Sequence, residues 1–334
     1  MTLLNSESMV HDTVVLYHRG CNDGIVAAWA ARGKLGDSAI YLPYQYGEDT
    51  PLECVDKHVI MVDLSLKLDR LDELKAKVKS VLIIDHHKTA IELEGHLIDV
   101  RTYSDYLKLR DDKAEVEKGM LYLDQNYSGA VLSWAFFNDL IEIDLVSLPI
   151  GLRHIHDYDL WIHDLEETKA VNAWLINDRL TMERVDLLMS DTLNLPESIL
   201  DVGNALLRYD DKIIKSVVRE YVQIVDIGDG KVAALVNAPH HLRNELSDLL
   251  SDRYAYVVVY SKRKNRTVYS LRSKKDSYDV SEIAARFGGG GHSEAAAFST
   301  VHTDLDDYVQ ESVFVKPRFM RRLKMAWKVL LNIQ

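Results

Sequence analysis

Four times in this chain a short apolar run ends abruptly in Asp or His, and that repeated junction limits the folds open to it. Ser80-Val81-Leu82-Ile83-Ile84 runs into Asp85-His86-His87-Lys88-Thr89, and His58-Val59-Ile60-Met61-Val62 runs into Asp63-Leu64-Ser65. Val14-Val15-Leu16-Tyr17 runs into His18-Arg19-Gly20-Cys21-Asn22-Asp23-Gly24, which leads into the helical Ile25 to Arg32. The fourth run, Ile150 to Ile155, reads as a helix and is followed by His156-Asp157-Tyr158-Asp159-Leu160-Trp161. Continuous β-branched and aliphatic runs mark strands buried on both faces, as in parallel sheets. Right-handed crossovers bring the carboxyl ends of such strands to one rim, where open α/β sheets bind ligands.

The segments between the runs suit that architecture. Leu68, Leu71, Leu74 and Val78 recur at helical spacing among Lys, Asp and Glu, which predicts a crossover helix within Leu66 to Lys79. Ser128 to Leu140 is nearly all apolar and reads as a core helix, whereas the charged stretch from Thr102 to Gly119 reads as a surface insertion or exposed helix. Asp and imidazole are ligands for divalent ions such as Mn²⁺, Mg²⁺ or Zn²⁺. Three strand ends and one helix end that each deliver them point to a single metal centre.

Beyond Met182 the chain turns helical, and Ile199 to Val222 reads as one long connecting helix. A second α/β pattern comes next: a strand from Lys231, strands at Tyr254–Tyr260 and Arg266–Ser273 joined by a hairpin loop, then a helix from Asp279 to Phe287. That helix meets Gly288-Gly289-Gly290-Gly291-His292, followed by Ser293-Glu294-Ala295-Ala296-Ala297. Glycines allow positive φ and close backbone approach, and successive amides at a helix start can cradle an anion.

In the order and content of these motifs the chain resembles the DHH phosphoesterases. Over roughly residues 12 to 300 it carries an N-terminal His with a nearby Asp, a lone Asp after a strand, Asp-His-His, a later Asp, and the Gly-Gly-Gly-His motif of a C-terminal domain found in one branch. The resemblance implies His18, Asp23, Asp63, His86 and Asp157 as ligands of one or two divalent ions, most readily Mn²⁺, with Asp63 as the bridge. Asp85 then orients a neighbouring imidazole or contributes directly, and His87 faces the substrate phosphate as charge stabiliser or proton donor. Alignment of the preceding apolar run favours Asp157 over Asp159 as the last ligand, Asp159 being left to hold the local turn. His154, His156 and His163 fit structural or surface roles better. Cys21 stands where many relatives carry a carboxylate. It is either a softer, Zn²⁺-favouring ligand or a small packing residue, the latter leaving one metal position with fewer protein ligands. In the second domain Gly289, Gly290, Gly291 and His292 are expected to bind substrate, and Arg272 matches an arginine that contacts phosphate, a role its planar, permanently charged fork suits.

The expected architecture is α/β in two domains with a cleft between them, a larger N-terminal, mainly parallel sheet flanked by helices and a smaller C-terminal α/β domain. Residues 1–185 form the metal-binding part, 186–228 a helical connector, 229–315 the glycine-rich substrate-binding part and 316–334 a basic amphipathic tail. The length, 334 residues, suffices for two cores. A formal net charge of −12 disfavours long duplex DNA as a partner and favours a short single-stranded oligonucleotide or small nucleotide. No apolar run approaches the ~20 residues of a membrane span, and Met1 to Asp12 shows no secretory pattern. Two cysteines, Cys21 and Cys54, fit a reducing, cytoplasmic setting. A homodimer is a further expectation, as is contact of the tail, Lys316 to Lys328, with nucleic acid, a protein partner or the chain's own body.

The activity implied is metal-dependent hydrolysis of phosphodiester or phosphomonoester bonds by activated water, in short oligonucleotides, adenosine bisphosphate or cyclic dinucleotides. The alternatives are a pyrophosphatase or exopolyphosphatase-like hydrolase, and a catalytically impaired nucleotide-binding or single-strand-binding protein.

Overall fold

The computed structural model describes residues 11–45, 47–112, 119–225, 231–274, 277–291 and 293–301. The basic tail, 316–334, and His292 therefore lie outside the described residues. Two compact units divide between Leu207 and Arg208.

In the first unit the apolar runs form strands β1 (Thr13–His18), β3 (His58–Val62) and β4 (Ser80–Asp85). With β2 (Ala39–Tyr44), β5 (Ile98–Asp99) and β6 (Met120–Leu123) they make a six-stranded sheet in the order β2-β1-β3-β4-β6-β5. Every pairing in it is parallel. Chain order reverses at β1, which lies between β2 and β3, so the crevice beyond the carboxyl ends of β1 and β3 is the switch point at which such sheets bind ligands.

The strands are apolar throughout because both faces are covered. One face buries Val15, Ile60, Val62, Leu82, Ile84 and Tyr122 against Ala27, Ala28 and Ala31 of α1 (Asn22–Leu35) and Leu132, Phe136 and Phe137 of α4 (Gly129–Phe137). The opposite face buries Val14, Leu16, Met61 and Ile83 against Leu71 and Leu74 of α2 (Leu68–Lys75), the expected crossover helix. The segment expected to be a surface insertion or exposed helix contains the helix α3 (Tyr103–Leu109), capped by Thr102, and α3 sends Tyr106 fully into the core. Its charged residues concealed one aromatic anchor.

Helices α5 (Ile150–Asp159), α6 (Thr168–Ile176) and α7 (Met182–Leu188) build a third cluster. Leu152, Ile155, Val171, Trp174 and Leu188 there meet Ile25 and Val26 of α1 and Ala130 and Val131 of α4. The long helix α8 (Glu197–Glu220) starts just after Pro196, a residue suited to a first turn.

The second unit holds a mixed sheet in the order β11-β12-β10-β9-β8-β7. Its strands are β7 (Gln223–Val225), β8 (Ala233–Asn237), β9 (Tyr256–Lys262), β10 (Arg266–Arg272), β11 (Gly290–Gly291) and β12 (Ala295–Val301). Only β8 and β9 pair in parallel, joined through α9 (Arg243–Ser251); the rest are antiparallel. Helix α10 (Val280–Arg286) is capped by the Asp279 side chain and leads into the glycines. Beyond the glycines the chain enters the strand β12 and starts no helix. The alanines face a sheet neighbour, and β11 folds back on β12 with Gly290 opposite Ala297 and Gly291 opposite Ala296.

Candidate functional site

Parallel register sets three functional positions level. Tyr17 pairs with Val62 and Val62 with Ile84, so His18, Asp63 and Asp85 come one step later on adjacent strands. Asp63 turns the chain with φ 55°, a left-handed conformation that Asp tolerates better than most side chains, and its amide donates to Ile84 O. Asp23 enters from the first turn of α1, and its Oδ1 accepts the Ala130 amide at the start of α4. Two glycines make room for this approach. A Cβ on Gly24 would lie 2.6 Å from His18 O, and one on Gly129 would lie 2.7 Å from Asp63 Cβ and 2.8 Å from Asp23 Oδ2. The part played by Gly129 is not legible in the sequence, because a glycine opening an apolar helix looks like ordinary core.

His86 Nε2 lies 3.2 Å from Asp63 Oδ1, 3.5 Å from Asp159 Oδ2 and 3.9 Å from Asp23 Oδ2. His18 Nδ1 is 3.7 Å from Asp63 Oδ2. Asp85 Oδ1 accepts the amides of His86 and His87 and pairs with His87 Nδ1 at 2.7 Å, which fixes the His87 ring. Donor atoms fall within 4.8 Å of one another in three sets: Asp63, Asp85, His86 and His87; His18, Cys21 and Asp63; and Asp23, His86 and Asp159.

The last set corrects one expectation. The structure brings Asp159, not Asp157, to the cluster. Two residues on a helix are rotated by about 200°, so only one of the pair can face the rim. Asp157 points the other way: Oδ1 accepts the Asp164 amide, and Oδ2 accepts the Leu165 amide and the Thr168 hydroxyl. His154 and His156 are buried and bonded to Thr168 and to the Ser128 amide, as structural residues.

Charge in the cluster is poorly screened. Asp23, Asp63 and Asp85 are almost completely buried. Burial pushes the Asp23 carboxyl well above its ordinary value, and the Asp159 and Asp63 charges add to this. Burial likewise raises Asp159 to about 6 against the pull of His86. Burial pushes Asp63 up, but the neighbouring imidazoles of His18 and His86 prevail and hold it at about 2. Burial pushes the imidazole of His86 down, but Asp63, Asp23 and Asp159 prevail and raise it to about 10. His87 is raised by Asp85 against its own burial. Burial, followed by the charges of Asp63, Asp23 and Asp159, drives the Cys21 thiol far up.

These residues fit a divalent ion. Oδ2 of Asp23, Asp63, Asp85 and Asp159 are all buried, and no hydrogen bond meets any of them. Four such oxygens in one pocket are costly unless a cation takes them.

In the second unit Arg272 ends β10, its guanidinium donating to Leu271 O and lying 3.5 Å from Asn244 Oδ1. It belongs to a cationic group with Arg243 and Arg263; burial first and then Arg243, Arg263 and Arg272 hold the neighbouring His240 down at about 4. Gly289 and Gly291 have packing reasons of their own: a Cβ would lie 2.1 Å from Ala297 O at the first and 2.4 Å from Ala295 O at the second. Around Gly290 there is open space.

No protein-family model matches the chain. Over 313 residues it is 28% identical to uncharacterized protein R106 of Acanthamoeba polyphaga mimivirus, a match covering 86% of this chain and 68% of that protein. Over 264 residues it is 25% identical to the oligoribonuclease NrnB of Bacillus subtilis, covering 75% of this chain but only 60% of that protein. Among solved structures it is similar to the DHH domain of PF0399, a member of the s1p family of ribosomal proteins, with TM-score 0.55, 14% identity, 91% of this chain and 85% of that one. The exonuclease RecJ bound to manganese is similar at TM-score 0.52 and 15% identity, over 91% of this chain and 89% of that one. The chain has the fold of the DHH-domain proteins.

Proposed function

We propose that this chain is a metal-dependent phosphoesterase acting on short oligonucleotides or small nucleotides. The observation that carries the proposal is the set of four buried, unmet carboxylate oxygens beside three imidazoles at the switch point of the sheet. Similarity to an oligoribonuclease supports the substrate class.

Asp23, Asp63, His86, Asp159 and His18 are the residues that would hold one or two ions; Asp63 and His86 each belong to two of the three donor sets, and Asp63 is the one with two oxygens to share. Bound there, a divalent ion supplies charge neutralisation on the phosphoryl group and activation of the attacking water. Mn²⁺ and Mg²⁺ suit this carboxylate–imidazole set. Cys21, a softer sulfur among oxygen and imidazole donors, suits Mn²⁺ or Mg²⁺ poorly and is assigned to packing.

Asp85 orients His87. With Nδ1 directed to Asp85, the His87 ring has Nε2 left for the substrate, and the Asp85 carboxylate favours the proton-bearing form that would donate to the leaving oxygen. Within the second unit, residues 229–315 are the proposed substrate-binding part, with Arg272 and the open backbone at Gly290 as its candidate contacts; the fourth member of the glycine motif, His292, lies outside the described residues.

The test is a Mn²⁺-supplemented panel of dinucleotides, a cyclic dinucleotide, adenosine bisphosphate and pyrophosphate. Dinucleotides should be cleaved fastest, and Asp63→Ala should remove the activity. Faster cleavage of pyrophosphate than of any nucleotide overturns the reading.

A further inference from the structure

Two residues past Asp159 stands an indole that the proposed chemistry leaves unused. Trp161 is 45% exposed although it is among the largest apolar side chains of its unit. Its φ is 57°, and that of His163 is 58°, left-handed values that bulky residues rarely adopt. The chain keeps them by bonding every amide of the turn. Trp161 N donates to Tyr158 O, while Ile162 N and His163 N both donate to Asp157 O. Asp164 N and Leu165 N donate to the two oxygens of the Asp157 carboxylate. The ring also meets two others edge-on, 5.6 Å from Tyr158 and 4.4 Å from His163 between centroids, and those two are 5.7 Å from each other.

A strained, fully hydrogen-bonded turn that holds an indole in water is a feature built around that indole. Trp161 follows Asp159, a member of the carboxylate–imidazole cluster, by two residues, so the two Cα atoms are at most about 7.6 Å apart. In a nucleotide the base is one sugar away from its phosphate. We infer that Trp161, framed by Tyr158 and His163, is a stacking platform for the nucleobase next to the scissile phosphate. Asp157 is the positioning residue that holds the platform. The inference rests on the nucleotide reading above and deepens it: the site recognises a base by its π face, without regard to which base, as stacking on aromatic side chains does.

The experiment reads binding and does not require turnover. Calorimetric titration of the full chain, with Ca²⁺ in the buffer, compares AMP with ribose 5-phosphate, which lacks the base. Wild type should prefer AMP roughly ten- to hundredfold, from the usual strength of base–aromatic stacking. Trp161→Ala and Trp161→Leu should abolish most of that preference, Trp161→Phe should keep it within a few-fold, and Asp157→Asn should reduce it. Leu193→Ala, at another exposed apolar residue, should leave the ratio intact. If Trp161→Ala fails to fold, the Leu and Phe variants carry the comparison. A wild type without preference for AMP, or variants that weaken both ligands equally, overturns the inference. A base preference in a chain that hydrolyses no nucleotide would overturn the proposed activity and leave the platform standing.

Discussion

Asp157 and Asp159 are two residues apart in sequence and opposite in role. Asp157 satisfies two part-buried amides and a buried hydroxyl. Asp157→Ala should therefore cost about 2–4 kcal/mol, since each stranded polar group costs on the order of 1–3 kcal/mol, and a urea melt measures it. Asp159 is held near 6 by burial and adds charge to a crowded cluster. Asp159→Asn should leave the metal-free chain at least as stable while weakening Mn²⁺ binding tenfold or more, by about 1.4 kcal/mol per decade. An equal loss of stability in both variants would contradict the assignment.

His86 gives the site a pH dependence of stated sign. Its imidazole is raised from 6.5 to about 10 in the folded chain. In the metal-free protein this contributes stability that is complete below pH 6.5 and lost as pH rises through 10. An ion must displace the same proton. Mn²⁺ binding near neutral pH should therefore release protons, and affinity should rise by up to about tenfold per pH unit for each proton released. Titrations in buffers of different ionisation enthalpy detect the release; its absence would remove His86 from the ligand set.

At the scale of elements, glycines mark where helices press on the site. Gly129→Ala places a methyl 2.7 Å from Asp63 Cβ, so α4 must retreat. A cost of about 1–3 kcal/mol is expected, with weaker Mn²⁺ binding as Asp23 loses its Ala130 amide. Gly33→Ala, within α1 and with nothing inside 4 Å, should instead stabilise by about 0.5–1 kcal/mol. Thermal melts of the two variants should move in opposite directions. The glycine run divides in the same way. Gly289→Ala should destabilise the second unit through its contact with β12, whereas Gly290→Ala should spare the fold and report on substrate binding alone.

For the molecule as a whole, folding gathers carboxylates whose repulsion protons and the neighbouring imidazoles relieve in part and a bound cation would relieve further. A ligand at 100 times its Kd stabilises by about 2.7 kcal/mol, so Mn²⁺ should raise the melting transition of the first unit and a chelator should reverse it. Melting indifferent to both would show that the cluster binds no ion. No helix among the described residues is long and apolar enough to cross a membrane.

The sequence by itself determined the parallel sheet and the rim at which His18, Asp63 and Asp85 meet. Strand burial and crossover handedness are local rules, and the apolar runs state where each strand ends. Tertiary structure alone chose Asp159 over Asp157, because which face of a helix meets the rim depends on how α5 packs against α1 and α4. It also turned the alanines after the glycine run into a strand and drew Tyr106 into the core. Those outcomes depend on partners distant in sequence, such as β10 for β12 and Phe136 for Tyr106, and no local spacing encodes them.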